Sequence, residues 1–250
     1  MDINKKVQEK IKKKWIKKLR IKEFSPIHII QITEKGKRDR IKWNDDQKCW
    51  EISLNKDSRE MVVAHELGHL YFPKKVNDPR LLPKLAKPER ANEVNGSLLI
   101  LLNPLIDNFV DHHLSEINNY YNFWFEQKKK ILDEIYISGN RIIFYYIADF
   151  MCDYLNKNIF KEEDKDYWLF KIEGRLIQIE KIILKSPNFS EADLKLLKNK
   201  LDQFKELRYI RDSERILLFL YDIITEIRKI LKIWDKNTID RQFDIIFNFP

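Results

Sequence analysis

His65-Glu66-Leu67-Gly68-His69, an HExxH string, sits inside a run from Asp57 to Pro73 that reads as one helix. Asp57 and Glu60 have the N-cap and N3 spacing of a capping box, and Pro73 predicts the stop. Positions i and i+4 lie one turn apart on the same helix face, so His65 and His69 can reach a single metal ion while Glu66 stands beside them. Val63, Leu67 and Leu70 form an apolar stripe that leaves both histidines and Glu66 on other faces. Gly68 costs about 1 kcal/mol relative to Ala inside a helix. Either another backbone or metal-site element passes close to it, or the glycine is simply tolerated. The pattern implies a zinc-dependent hydrolase. Zn²⁺ held by His65, His69 and a carboxylate keeps one position for water and lowers that water's pKa toward about 7, with Glu66 as general base. The plainer reading is a helix with two solvated or hydrogen-bonded histidines.

Upstream, Ile27, Ile29, Ile41, Trp43, Trp50, Ile52 and Leu54 alternate with polar residues, with turn-prone stretches at Gly36 and at Asn44 to Asp46. They predict a small antiparallel sheet whose last strand, about 48–54, leads into the HELGH helix; the edge of that sheet is where an extended substrate would pair. Downstream, Pro73, Pro79, Pro83 and Pro88 mark an irregular surface connection of the kind that borders a cleft. A helix is expected from Pro88 to Leu102, and a second one with Asn103 as N-cap and Pro104 at N1. That second helix carries Asp107, Asp111, His112 and His113 and passes into the cluster Tyr120, Tyr121, Phe123, Trp124, Phe125, read either as core or as a pocket lining. Beyond it, amphipathic helices are expected near 127–137, 141–156, 166–185, 191–209 and 212–234. The fold class is therefore α+β, mainly α: a basic helix at 1–24, a core at 25–126 and a helical subdomain at 127–250.

The 250 residues suffice for a sizeable core, and they contain no low-complexity segment, signal peptide or apolar run of about 18 residues. Cys49 and Cys152 lack metal-type spacing, so a reducing cytoplasm is the default. Most of the net charge of +8 lies in residues 1–24, with ten Lys or Arg against three Asp or Glu. Ile3, Val7, Ile11, Trp15 and Leu19 recur four apart there, an amphipathic pattern with three readings. The helix docks on the body, lies on an anionic membrane surface, or contacts nucleic-acid phosphates.

Two histidines need a further ligand. Asp107 and Asp111 stand four apart in Asn103-Pro104-Leu105-Ile106-Asp107-Asn108-Phe109-Val110-Asp111. Together with HELGH this resembles the gluzincin group of zinc metallopeptidases, over about residues 25–120. The resemblance implies a zincin-like core with Asp107 as third zinc ligand and Asp111 as the carboxylate that orients a ligand histidine. Most of that group has Glu where this chain has Asp107, and the shorter side chain requires the two helices to approach more closely. Glu89-Arg90-Ala91-Asn92-Glu93, followed by Leu98 and Leu99, also resembles the HExxH metallopeptidases of phage and plasmid immunity regulators, with Pro88 where that group has Glu. Glu93 is thus the rival ligand, with Glu89, Asp111 and His112 behind it. The plainer reading of Asp107 and Asp111 is a solvated acidic face near a helix N-terminus.

The activity expected is hydrolysis of peptide bonds in a peptide or protein substrate. His112, His113, Tyr71 and Tyr120 are candidates for stabilising the oxyanion. The alternative is a non-catalytic or regulatory metal-binding protein that contacts nucleic acid, membrane surface or protein through its basic helix and helical C-terminal half. The apolar tail Phe243-Asp244-Ile245-Ile246-Phe247 is a candidate occupant of the cleft.

Overall fold

The first helix, α1 (Ile3–Leu19), docks through Ile11, Trp15 and Leu19 of the expected line together with Gln8 and Lys12, whereas Val7 is 50% exposed. A strict four-residue repeat drifts by about 40° per step around a helix of 3.6 residues per turn, so the line cannot stay on one face. Trp15 is fully buried and its Nε1 donates to Glu60 at 3.0 Å, while Lys12 Nζ donates to the Ile27 carbonyl at 2.6 Å. The computed structural model describes residues 3–24, 26–32, 39–55, 60–82, 88–117, 120–122, 124–126, 143–207 and 210–249.

Three strands follow, β1 (Ile27–Ile32), β2 (Arg40–Asn44) and β3 (Cys49–Asn55), in the order β1-β3-β2. β2 pairs antiparallel with β3 (Ile41↔Ile52, Trp43↔Trp50), whereas β1 pairs parallel with it (Ile27↔Trp50, Ile29↔Ile52). The sheet is mixed, not antiparallel, and the strand leading into the HELGH helix is its centre. Alternation encodes which face a residue takes and leaves neighbour order open. β3 takes the middle because it is buried at all but its last position, while β1 and β2 keep exposed positions.

α2 (Glu60–Lys75) carries the HExxH string and runs through Pro73 instead of stopping there. Proline in a last turn removes a single backbone bond, and the end is closed by Val76 N to Phe72 O at 3.1 Å and Asp78 N to Pro73 O at 2.9 Å. The expected Asp57 cap lies outside the described residues; Glu60 instead holds Trp15 and Lys14. The helix is covered on more than its apolar stripe, since Ala64, Glu66, Gly68 and Phe72 are buried with Val63, Leu67 and Leu70. Among the described residues of the connection, Pro79–Leu81 and Pro88–Glu93 form short 3-10 turns.

α3 (Gly96–Ser115) is one helix where two were expected, with Asn95 as its N-cap and Pro104 inside. Leu98, Leu101, Leu102, Leu105 and Phe109 are all buried on either side of the proline. Each such side chain contributes about 1.5–3 kcal/mol on burial, which together outweigh the roughly 3 kcal/mol that an interior proline costs. Tyr120, Tyr121 and Trp124 follow in helical residues and are buried as core.

The C-terminal half is α4 (Ile143–Asn156), α5 (Lys165–Ile183), α6 (Glu191–Asp202), α7 (Phe204–Leu207), α8 (Ser213–Leu231) and α9 (Lys236–Phe247). The helix expected at 127–137 lies outside the described residues. α9 was not anticipated, although Asp235 caps it by accepting from Thr238 N at 2.6 Å and Ile239, Phe243 and Ile246 form a buried stripe. Phe243 packs on Tyr221 of α8 with ring centroids 5.2 Å apart, so the tail belongs to the core rather than to a cleft. α4 packs on α3, and one cluster of buried apolar side chains extends from Trp15 to Phe249. Among the described residues no helix is long and apolar enough to cross a membrane.

Candidate metal centre

α2 and α3 meet at Gly68. A Cβ there would lie 2.6 Å from both Val110 Cγ1 and Leu114 Cδ1, so this close approach is open only to glycine. One turn before Val110, Asp107 faces the two histidines: its Oδ1 is 3.4 Å from His69 Nε2 and 3.7 Å from His65 Nε2. Bonds of about 2.0–2.2 Å to a tetrahedral ion set ligand atoms roughly 3.3–3.6 Å apart, the scale observed here. His65, His69 and Asp107 form the one group among the described residues that could hold a metal ion, with donor atoms within 4.8 Å of one another. The short aspartate reaches because the helices are in glycine contact.

Asp111 lies one turn further along α3 and on the other side of His65, with Oδ1 2.8 Å from Nδ1. The same Oδ1 accepts from the Tyr120 hydroxyl at 2.5 Å, and Oδ2 accepts from Trp124 Nε1 at 3.0 Å. The two carboxylates differ in setting: the Asp107 side chain is 41% exposed and that of Asp111 only 9%. The centre therefore opens to solvent on the Asp107 side and is closed behind His65.

Burial opposes a charge on His65, yet Asp111 and Asp107 outweigh it and hold the imidazole well above its ordinary pKa. Asp107 is correspondingly depressed below the carboxylate range, because the adjacent His65 and His69 imidazoles outweigh the partial loss of solvent around it. This is a corner with excess negative charge, which a cation would satisfy in place of a proton. Burial raises Glu66, with His69 and His65 pulling in the opposite direction, which strengthens it as a base.

The rival ligands are elsewhere. Glu93 is paired with Arg90 at 2.8 Å and with Arg241 of α9, and those two cations hold its pKa at about 2. Glu89 is exposed on the same 3-10 turn. His112 and His113 are buried: His112 lies edge-on to Phe204 at 6.5 Å and His113 stacks on Phe72 at 5.2 Å, which places both in the core. Tyr120 commits its hydroxyl to Asp111 and is fully buried, so it does not offer that proton to a substrate. Tyr71 is half-buried against the core, and His28 is exposed on β1.

The contacts of Tyr120 and Trp124 with Asp111 escape a reading of the sequence. Their i, i+4 spacing and their polar tips signal that a buried donor needs a partner, but nothing local names the partner. Against protein-family models, curated proteins and solved structures, no match to this chain is found.

Proposed function

We propose that the chain is a zinc-dependent peptidase of the gluzincin kind, built on a zincin-like core. One observation carries this reading: His65, His69 and Asp107 converge from two helices with donor atoms within 4.8 Å, and Glu66 sits on the same helix between the histidines. Two imidazoles and one carboxylate are a donor set suited to zinc, which would leave a position for water. When bound, zinc supplies a Lewis acid and acidifies water to near neutrality. The buried Glu66 carboxylate then takes the proton from the attacking water and delivers it to the leaving amine. Asp111 holds His65 in the orientation that turns Nε2 toward Asp107.

An extended substrate belongs on β2 rather than on β3, which is the central strand. β2 is an edge strand, and Asp39, the residue before it, lies close enough to add to the effect of burial on Glu66. The test is Glu66→Gln. The variant should keep equimolar zinc by elemental analysis and lose all cleavage of a broad peptide library by the wild type. A wild type that holds zinc and cleaves nothing removes the peptidase reading and leaves a regulatory metal-binding protein.

A further inference from the structure

Two residues outside the HExxH helix and the Asp107–Asp111 turn close the back of the centre. Asp111 has both carboxylate oxygens engaged: Oδ1 by Tyr120 OH at 2.5 Å and His65 Nδ1 at 2.8 Å, Oδ2 by Trp124 Nε1 at 3.0 Å. The indole N–H can only donate, so Oδ2 is an acceptor. The phenol occupies the other oxygen as a second donor. With Asp111 kept a pure acceptor, His65 Nδ1 must carry the hydrogen between them, so when a cation takes the place of the other ring proton the lone pair that meets it is on Nε2. That nitrogen is the one 3.7 Å from Asp107 Oδ1.

Geometry is restrained in the same way as the tautomer. A carboxylate tied at both oxygens cannot swing about its side-chain torsions, so it fixes the plane of the imidazole it holds. The clamp is itself held in place: Tyr120 and Trp124 are fully buried, and Trp15 of α1 meets the Tyr120 ring edge-on at 6.1 Å. The basic N-terminal helix is thus coupled to a metal ligand through Trp15, Tyr120, Asp111 and His65 in turn.

We propose that Tyr120 and Trp124 are positioning residues for the metal centre, selecting the Nε2 lone pair of His65 by holding both oxygens of Asp111. The proposal rests on the zinc-site reading above. It also separates these two aromatics from Tyr121, their neighbour on the same segment, whose hydroxyl donates to Asp164 at 2.7 Å instead.

The experiment compares the full-length wild type with Tyr120→Phe, Trp124→Phe and Tyr121→Phe at one fixed pH. Zn²⁺ affinity is measured by competition with a chromophoric chelator, and the visible d–d spectrum of the Co²⁺-loaded protein is recorded alongside. Tyr120→Phe and Trp124→Phe should each weaken Zn²⁺ binding by about 10-fold or more and shift the Co²⁺ bands. Tyr121→Phe removes a part-buried hydroxyl bonded to Asp164 and to the Lys161 N–H, and should change neither. Should Tyr120→Phe fail to fold, Trp124→Phe decides the matter through Oδ2 alone. Wild-type affinity and spectrum in the Asp111-clamp variants would overturn the proposal, as would equal losses in Tyr121→Phe, and both results would leave the zinc site standing. A wild type that takes up neither Zn²⁺ nor Co²⁺ overturns the site and the clamp together.

Discussion

Substituting Gly68 by alanine tests whether the approach of α2 to α3 sets the metal centre. By helix propensity alone the change should stabilise α2 by about 1 kcal/mol. Against that, the added methyl would sit 2.6 Å from Val110 Cγ1 and Leu114 Cδ1. Carbon atoms prefer separations of about 3.5–4.0 Å, so something must move by roughly 1 Å. Leu114 can yield at its flexible tip, but Val110 is β-branched and stiff in a helix, so part of the motion falls on α3 itself. Overpacking of this size costs about 1–3 kcal/mol, leaving a net destabilisation of up to ~2 kcal/mol and a fall in Tm of a few degrees. The metal centre should suffer more than the fold. Asp107 lies one turn from Val110, and metal–ligand distances tolerate only about 0.2 Å. Zn²⁺ affinity should fall about 10- to 100-fold, and Val110→Ala in the same chain should recover part of it. Gly174 of α5 is the internal control, since nothing lies within 4 Å of a Cβ built there. Gly174→Ala should raise Tm and leave Zn²⁺ binding alone. Calorimetry of the metal-free proteins and a chelator competition read both quantities. A Gly68→Ala protein that is more stable than wild type and binds Zn²⁺ equally well would refute the reasoning.

Two further outcomes follow from the site and its surroundings. Asp107→Ala should strip the bound zinc while Glu93→Ala leaves it in place, because Glu93 is committed to Arg90 and Arg241; elemental analysis of the two variants decides between them, and the reverse pattern would relocate the third ligand. His113, driven down to about 4 by burial and by the nearby cations Lys75 and Arg211, stays neutral in the fold through a range in which the unfolded chain gains a proton. Its contribution to stability is therefore intact above pH 6.5 and is lost as pH falls toward 4, by up to ~3 kcal/mol. Urea melts at neutral and acid pH should show a shallower acid loss for His113→Phe than for wild type, and an unchanged slope would clear His113 of that role.

The legible parts of this chain are those written in local spacing. His65, Glu66 and His69 fall on one helix because i, i+4 periodicity belongs to the helix itself, whatever packs around it. Asp107 and Asp111 share the same i, i+4 spacing, but their roles rest on the resemblance to gluzincins and not on periodicity; α4, α5, α6 and α8 follow their apolar periodicity. Punctuation was less reliable. Pro73 and Pro104 both mark ends by local rules, and both lie inside helices: Pro73 falls in a last turn closed by Val76 N to Phe72 O, and beyond Pro104 the buried Leu105 and Phe109 outweigh one missing backbone bond. α9 was readable from Asp235, Thr238 and the Ile239–Phe243–Ile246 stripe.

Sequence by itself determined a helix that presents two imidazoles and a carboxylate, and a short set of acids to complete it. Tertiary structure decided which acid arrives, because Gly68 lets α3 come close enough for Asp107 while Arg90 and Arg241 hold Glu93 away. It also made β3 the central strand and gave Asp111 to Tyr120, Trp124 and His65 at once. His65 and Asp111 are 46 positions apart in the chain. Pairings over such separations depend on how whole helices and strands pack, and periodicity within any one element carries no record of its neighbours.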